Sequence, residues 1–362
     1  MKVYLKFDEL ANYRKDGYIN LNCVINKNEL EREVRGNDAR NKNWFNLNDG
    51  RGMFKANEPE HDYSHYSELI CSELAKQIGV EVAEYDIATF DGEKGVITKD
   101  MCKEGEELLS IHDLIGLNPN DNPNYPDSVD IEWVFDALER KFEKDGYDSH
   151  DIDKCMLDLR KQLLFDIFVM ENDRHTGNVS FIVGNNGENK PSIRLSPKYD
   201  TEEALVLYSD KEHMKKIYTD ILLTSDVTNI QEPKMCVIPE DKTIEESKDL
   251  GVLSLIEKLQ ASVNTKDYYS TESEEIWKTT LDYLAEDDRA FEFVETHLTK
   301  MNIDEAIKSV ESKINSQIPE DIKKMAIACF NERKAAVEYE LGLDLVDPNK
   351  AENEKNKDIE LT

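Results

Sequence analysis

The chain is short of positive charge, of long apolar runs and of paired cysteines, and each shortage excludes a class of function. Its 362 residues carry 45 Lys and Arg against 77 Asp and Glu, a formal net charge of −32. A surface of that sign repels phosphodiester backbones and anionic bilayers, so nucleic-acid and membrane partners are excluded unless basic residues concentrate in one patch. Basic protein partners are favoured instead. No apolar run is long enough to span a bilayer, and Met1 to Asp8 contains no sustained apolar core of a leader. A cytoplasmic home is the expectation, although secretion without a cleaved signal would leave no such trace. The cysteines, Cys23, Cys71, Cys102, Cys155, Cys236 and Cys329, are scattered with no C-x-x-C pair. That excludes the usual zinc sites and points to reduced core thiols. No Ser or Thr precedes Ser64, and no internal repeat is visible.

What is present is a polar cluster, Asn172-Asp173-Arg174-His175-Thr176-Gly177-Asn178, at the end of a long apolar pattern. From Asp151 to Glu171 the apolar residues Ile152, Met156, Leu159, Leu163, Ile167 and Met170 recur at helical spacing. Val179 to Val183 then reads as a strand, Gly184 to Asn189 as a turn and Ser192 to Leu195 as the returning strand. An antiparallel return carries Tyr199-Asp200 back toward Asn178 and Asp173. An acid that can orient a hydroxyl, an amide and a second acid thereby converge, which is what phosphoryl transfer asks of a protein. Arg174 reads as a brace of this loop, and His175 on its own first as a hydrogen-bonding residue of it. Loops favour Asp and Asn for local reasons too, but the agreement of several independent features outweighs chance.

A second constellation lies upstream. Trp44 to Leu47 and Met53 to Ala56 read as short strands joined by Asn48-Asp49-Gly50-Arg51-Gly52. Lys55 interrupts the apolar second strand, which is costly unless the ammonium meets a carboxylate or phosphate. The expected carboxylate is Glu68, near the start of a helix that runs to Ile78 and stops at Gly79. Glu68 flanks the apolar face formed by Ile70, Cys71, Leu74, Ala75 and Ile78, whereas Glu73 points away. A helix-dipole contact is the simpler alternative for an acid in a first turn. Between residues 35 and 42, Arg35-Gly36-Asn37-Asp38-Ala39-Arg40-Asn41-Lys42 stands where a nucleotide-covering loop would lie; Gly36, Arg40 and Lys42 are its candidate phosphate contacts, with a solvated loop as the alternative.

These residues together resemble the HipA-like serine/threonine protein kinases. The Asp173-to-Asn178 spacing fits that family, as does Ser67-Glu68 followed by Ala75-Lys76-Gln77-Ile78-Gly79. The resemblance covers roughly Asp38 to Leu341. It implies an α+β, bilobal protein-kinase-like fold with a small β-rich N-lobe and a larger, mainly helical C-lobe. It also implies ATP and Mg²⁺ as cofactors, Asp173 as catalytic base, Asn178 and Asp200 as metal ligands, Lys55 on the nucleotide phosphates with Glu68 positioning it, and His175 near the cofactor. Asp200 would be the counterpart of the Asp in the kinase D-F-G motif, although Thr201 follows it here. The absence of Ser and Thr before Ser64 removes the self-silencing phosphorylation of a loop serine, while Ser64, Ser67 and Thr201 remain nearby candidates for autophosphorylation. An antitoxin-like regulator is a partner of the family, but little sequence precedes the nucleotide loop, so a stand-alone kinase domain is expected.

The chain divides near Thr98 to Gly105, where strand-like Gly95 to Ile97 gives way to an expected helical region. Residues 1–100 form the expected N-lobe, 101–346 the C-lobe and 347–362 a polar tail expected to be disordered, with adenine bonded to backbone near Met101 at the hinge. Asn118 to Pro126 carries loop chemistry, Ile131 to Lys141 reads as a helix, and Asp210 to Pro239 as a mixed insertion. Ile244 to Leu341 reads as mainly helical, with a helix start at Ile318-Pro319-Glu320-Asp321. The leading reading is an ATP- and Mg²⁺-dependent kinase acting on a protein Ser or Thr. The Asp-Arg-His order also resembles phosphatidylinositol kinases, against which the acidic surface counts. A nucleotide-binding pseudokinase is the non-catalytic alternative.

Overall fold

The computed structural model describes residues 4–25, 30–32, 42–57, 63–116, 131–171, 174, 176–185, 190–207 and 280–343. Of the residues singled out above, Gly36, Arg40, Asp173 and His175 lie outside the described residues, as do the loop at 118–126, the insertion at 210–239 and the tail at 347–362.

The N-terminal part is a seven-stranded sheet. Its strands in chain order are β1 (Arg14–Lys15), β2 (Tyr18–Asn20), β3 (Glu31–Arg32), β4 (Lys42–Leu47), β5 (Gly50–Ala56), β6 (Tyr85–Phe90) and β7 (Glu93–Lys99), and their spatial order is β1-β2-β6-β7-β5-β4-β3. Every pairing is antiparallel except that of β2 with β6, which is parallel. The expected hairpin is β4–β5, with Phe45 opposite Gly52 and Lys42 opposite Lys55.

Strand alternation sorts the side chains between two cores. Phe45, Leu47, Phe54, Ala56, Ala88, Phe90 and Ile97 face one way, onto Leu10, Ile19 and Leu21. Tyr85, Ile87 and Val96 face the other way, into the larger core. Lys55 is out of phase with Phe54 and opposite Val96, so it shares that second face. Gly95 lies alongside, where an added methyl would overlap the Lys55 carbonyl oxygen. Glycine is what lets β5 and β7 approach at the lysine.

Helix α1 (Ser64–Gln77) covers the second face, and Gly79 beyond its end has φ +73°, as a helix stop requires. The sheet continues into a short connection and then β8 (Glu107–Ser110), not directly into a helix as expected; helix α2 (Ile111–Ile115) follows, opened by a Ser110–Asp113 capping box. Helices α3 (Ile131–Asp145) and α4 (Ser149–Val169) come next, then strands β9 (Ser180–Asn185) and β10 (Pro191–Leu195). The second sheet is β10-β9-β8, so the expected hairpin has gained a third strand.

Asp148 caps α4 by accepting from the His150 N–H, and Met170 ends it in a left-handed conformation, φ 55°. Ile152, Met156, Leu159, Leu163, Ile167 and Met170 are all buried, and from Gln162 to Val169 so is every side chain, because the helix runs through the core. At about 1.5–3 kcal/mol for each large apolar side chain, this helix is a principal source of the C-lobe's stability. Helices α5 (Asp288–Thr296), α6 (Ile303–Ile314) and α7 (Glu320–Glu340) complete the described part; α6 packs on α1 and α7 on α4. No described helix is long and apolar enough to cross a membrane. The five cysteines of the described residues are free thiols.

Candidate active site

The first sheet meets the turn after β10 at Lys55. Its ammonium is paired with Asp200 Oδ1, and with Glu202 Oε2 at 3.0 Å. Lys55 comes from the middle of the first sheet and the acids from the turn after β10, so the ion pair spans the lobes. The lysine is 5 % exposed. An ammonium this deep persists only because carboxylates meet it.

Glu68, the expected partner, lies beside this pair and is held differently. No ion pair joins Lys55 to Glu68; one Glu68 oxygen instead accepts the Thr201 N–H at 2.9 Å and the Thr201 hydroxyl at 2.7 Å. The physical reason lies in the turn after Asp200, which delivers Glu202 closer to the ammonium and leaves Glu68 facing Thr201. Burial raises the Glu68 pKa, with the Lys55 charge opposing and Asp200 adding to the rise. The other Glu68 oxygen, Oε1, is buried with no hydrogen-bond partner. Ser67, one residue before, has its hydroxyl within reach of the Thr201 and Ala204 carbonyls, at 2.6 and 2.9 Å. Helix α1 therefore grips the 201–204 turn twice.

Arg174 is the brace it was expected to be. Its guanidinium donates to Asp166 Oδ2 at 3.0 Å, Asn178 O at 2.6 Å, Tyr199 O at 3.0 Å and Asp200 O at 3.2 Å. One fully buried side chain thus draws the backbones of Asn178 and Asp200 together. Burial pulls its pKa down, but Asp166, Glu171 and Asp200 more than offset this, so it stays charged. Asp166 also takes the buried ammonium of Lys198, whose backbone pairs with Val82 and so links the 80–83 segment to the C-lobe. Asp200 itself has φ 58°, a left-handed conformation uncommon outside glycine. Its N–H donates to the Tyr85 hydroxyl at 3.0 Å. Burial pushes the Tyr85 phenol up, with Glu68 and Asp200 adding to it, so the phenol stays neutral.

Lys42 sits directly across from Lys55 and therefore on the same face of the sheet. The Met101 carbonyl accepts from Arg194 at 3.3 Å, and Arg194 also pairs with Glu106 at 2.9 Å, which fixes the connection between the lobes. A carbonyl has two lone pairs, so Met101 keeps capacity for a second donor. Sequence reasoning missed Glu202 and Tyr85, and gave Thr201 no part in holding Glu68. For Glu202 a signal existed, a second acid two positions after Asp200.

Oxygen ligands from Glu68, Asp200 and Glu202 lie within 4.8 Å of one another. Arg174 draws the Asn178 backbone toward that of Asp200, and these carboxylates are hard oxygen donors that suit Mg²⁺ rather than a thiophilic metal.

Residues 45–247, more than half of the chain, match the family described as HipA-like C-terminal domain. The chain belongs to the HipA-like C-terminal domain family. The match spans Lys55, Glu68, Met101, Asn178 and Asp200, and also Asp173 and His175. Among solved structures, this HipA-like chain is similar to the Helicobacter pylori proinflammatory kinase CtkA, with a TM-score of 0.52 and 16 % identity over 90 % of this chain and 97 % of that one. A further match is HipA of Shewanella oneidensis MR-1, solved in a toxin–antitoxin complex with HipB and operator DNA: TM-score 0.43, 16 % identity, 88 % of this chain and 67 % of that one. No curated protein sequence matches. The fold is thus kinase-like, with a β-sheet N-terminal part and a helical C-terminal part, as the sequence led one to expect.

Proposed function

We propose that the protein is an ATP- and Mg²⁺-dependent kinase that transfers the γ-phosphoryl group of ATP to a serine or threonine hydroxyl of a protein. The observation that carries this reading is the Lys55–Asp200 pair, which brings a buried cation of one lobe onto a partly buried acid of the other. Beside it, Arg174 holds Asn178 and Asp200 on one guanidinium.

In this reading Lys55 holds the α- and β-phosphates, and Lys42, on the same face, adds positive charge near them. Asn178 and Asp200 hold Mg²⁺. When bound, the ion neutralises charge on the phosphate oxygens. Asp173 orients the attacking hydroxyl and accepts its proton as the oxygen bonds to the γ-phosphorus; the bond from that phosphorus to the bridging oxygen breaks, and ADP leaves. The hinge backbone at Met101 receives the adenine. A net charge of −32 favours basic protein substrates.

The test is transfer of labelled γ-phosphate from ATP with Mg²⁺, to the protein itself and to a generic basic protein. Asp173→Asn is expected to lower turnover by roughly 10² to 10⁴ while nucleotide binding persists. A fully active Asp173→Asn protein would overturn the assignment, and transfer to phosphoinositide vesicles but to no protein would redirect it to a lipid kinase.

A further inference from the structure

We infer that Glu202, and not Glu68 of the α1 helix, is the acid that positions Lys55 for the nucleotide. The inference rests on the kinase reading above and concerns how its lysine is held.

Lys55 has three N–H donors. One serves Asp200, and Glu202 Oε2 lies 3.0 Å from the same nitrogen as an ion-pair partner. Asp200 is the residue proposed to hold Mg²⁺, and a carboxylate oxygen engaged by a metal is a poorer partner for an ammonium. Glu202 then keeps the lysine in place while the remaining donors turn to phosphate oxygens. Glu68 is turned to Thr201 instead. Its Oε2 accepts two hydrogen bonds from Thr201, while its Oε1 makes none.

Glu68 acts one step further away. Thr201 lies between Asp200 and Glu202 in sequence, so an acid that fixes Thr201 fixes the direction in which both neighbours project. Ser67 adds a second hold on the same turn through the Thr201 and Ala204 carbonyls. The order of contact is thus α1 to Thr201, Thr201 to the two flanking acids, and those acids to Lys55. In the usual kinase arrangement the helix glutamate meets the lysine directly; here the turn after Asp200 stands between them. Glu202 is a positioning residue in this scheme, because it acts on the nucleotide only through Lys55.

Two measurements test this. The first is affinity for a non-hydrolysable ATP analogue, with and without Mg²⁺, in the wild-type protein and in Glu202→Gln, Glu202→Asp and Glu68→Gln. Glu202→Gln is expected to weaken binding about tenfold with Mg²⁺, as for the loss of one charge-assisted contact, and by less without it, when Asp200 is free to hold Lys55. Glu202→Asp, which keeps the charge, should lose less than Glu202→Gln, and so should Glu68→Gln, whose amide oxygen can still accept from Thr201. The second is a pair of double-mutant cycles on melting temperature without nucleotide, combining Lys55→Met with Glu202→Gln or with Glu68→Gln. Coupling is expected for residues 55 and 202 and a smaller coupling for 55 and 68.

The reverse order in either measurement would overturn the inference and leave the kinase reading standing. A Glu202→Gln loss with Mg²⁺ but no coupling between residues 55 and 202 would make Glu202 a metal ligand and overturn it as well. If the wild-type protein bound no nucleotide, the kinase reading itself would fall, and the inference with it.

Discussion

Thr201 gives both its backbone N–H and its hydroxyl to a single oxygen of Glu68. The pair joins the α1 helix to the turn that carries Asp200 and Glu202, and the acceptor is buried. Thr201→Val keeps shape and N–H but removes the hydroxyl, leaving a buried carboxyl with one donor fewer. We expect a loss of about 1–2 kcal/mol in urea unfolding, together with weaker nucleotide binding. Unchanged stability would mean that the hydroxyl contributes nothing to the link.

Gly95 is the second point of sensitivity. A methyl there overlaps the Lys55 carbonyl oxygen and crowds the Ala56 backbone, and neither neighbour is a flexible side chain that could swing aside. Gly95→Ala should therefore destabilise by about 3 kcal/mol, the upper end for overpacking, and should displace Lys55. Thermal melts and nucleotide titration together check this; a variant as stable as the wild type would show that β5 and β7 can part at no cost.

Arg174→Lys replaces a planar fork by a single ammonium that cannot reach carbonyls of Asn178, Tyr199 and Asp200 while holding Asp166. Buried carbonyls are left without donors, and about 3–5 kcal/mol of stability should be lost, as when a buried charge network loses a member. Phosphate transfer should fall further than ATP affinity, because the residues drawn together by Arg174 serve the metal and the reacting groups. Equal losses in both would argue that the brace is only structural.

His65 predicts a pH dependence. It is buried between the Tyr18 hydroxyl on Nε2 and the Asn57 amide on Nδ1, each at 2.7 Å. Burial, with the Lys94 charge second, lowers its pKa from 6.5 to about 3. A lowered histidine binds fewer protons folded than unfolded, so its contribution is complete above pH 6.5 and is lost as the pH falls toward 3. Between pH 6.5 and about pH 4 the loss should be on the order of 3 kcal/mol. Urea unfolding of the wild type and His65→Gln across that range should give curves that converge as pH falls; parallel curves would count against the assignment.

The parts that were legible in the sequence are those whose information is local. The α4 helix announced itself through six apolar residues at helical spacing, and β9 and β10 through two apolar runs around Gly184 to Asn189. Strand β8 did not, because the four residues Glu107 to Ser110 are extended only where β9 offers them an edge. Strands β1 and β2 are shorter still, and Arg14 holds β1 against β6 by an ion pair to Asp86 at 2.7 Å, a partner 72 positions away. Which acids stand beside Lys55 is not legible for the same reason. Helical spacing correctly put Glu68 on the flank of α1, but which acid reaches the ammonium depends on a turn whose Asp200 has positive φ. That conformation is not written in a residue type that demands it, as glycine would.

Every acceptor that Arg174 finds beyond Asp166 is a main-chain carbonyl. A clamp of this kind reads the path of the chain and is indifferent to what the chain displays. The side chains at positions 178, 199 and 200 can be exchanged without asking the guanidinium to find new partners. The frame of the site and its chemistry are therefore separately mutable, and a descendant of this protein could acquire a different reactivity while inheriting the same scaffold intact.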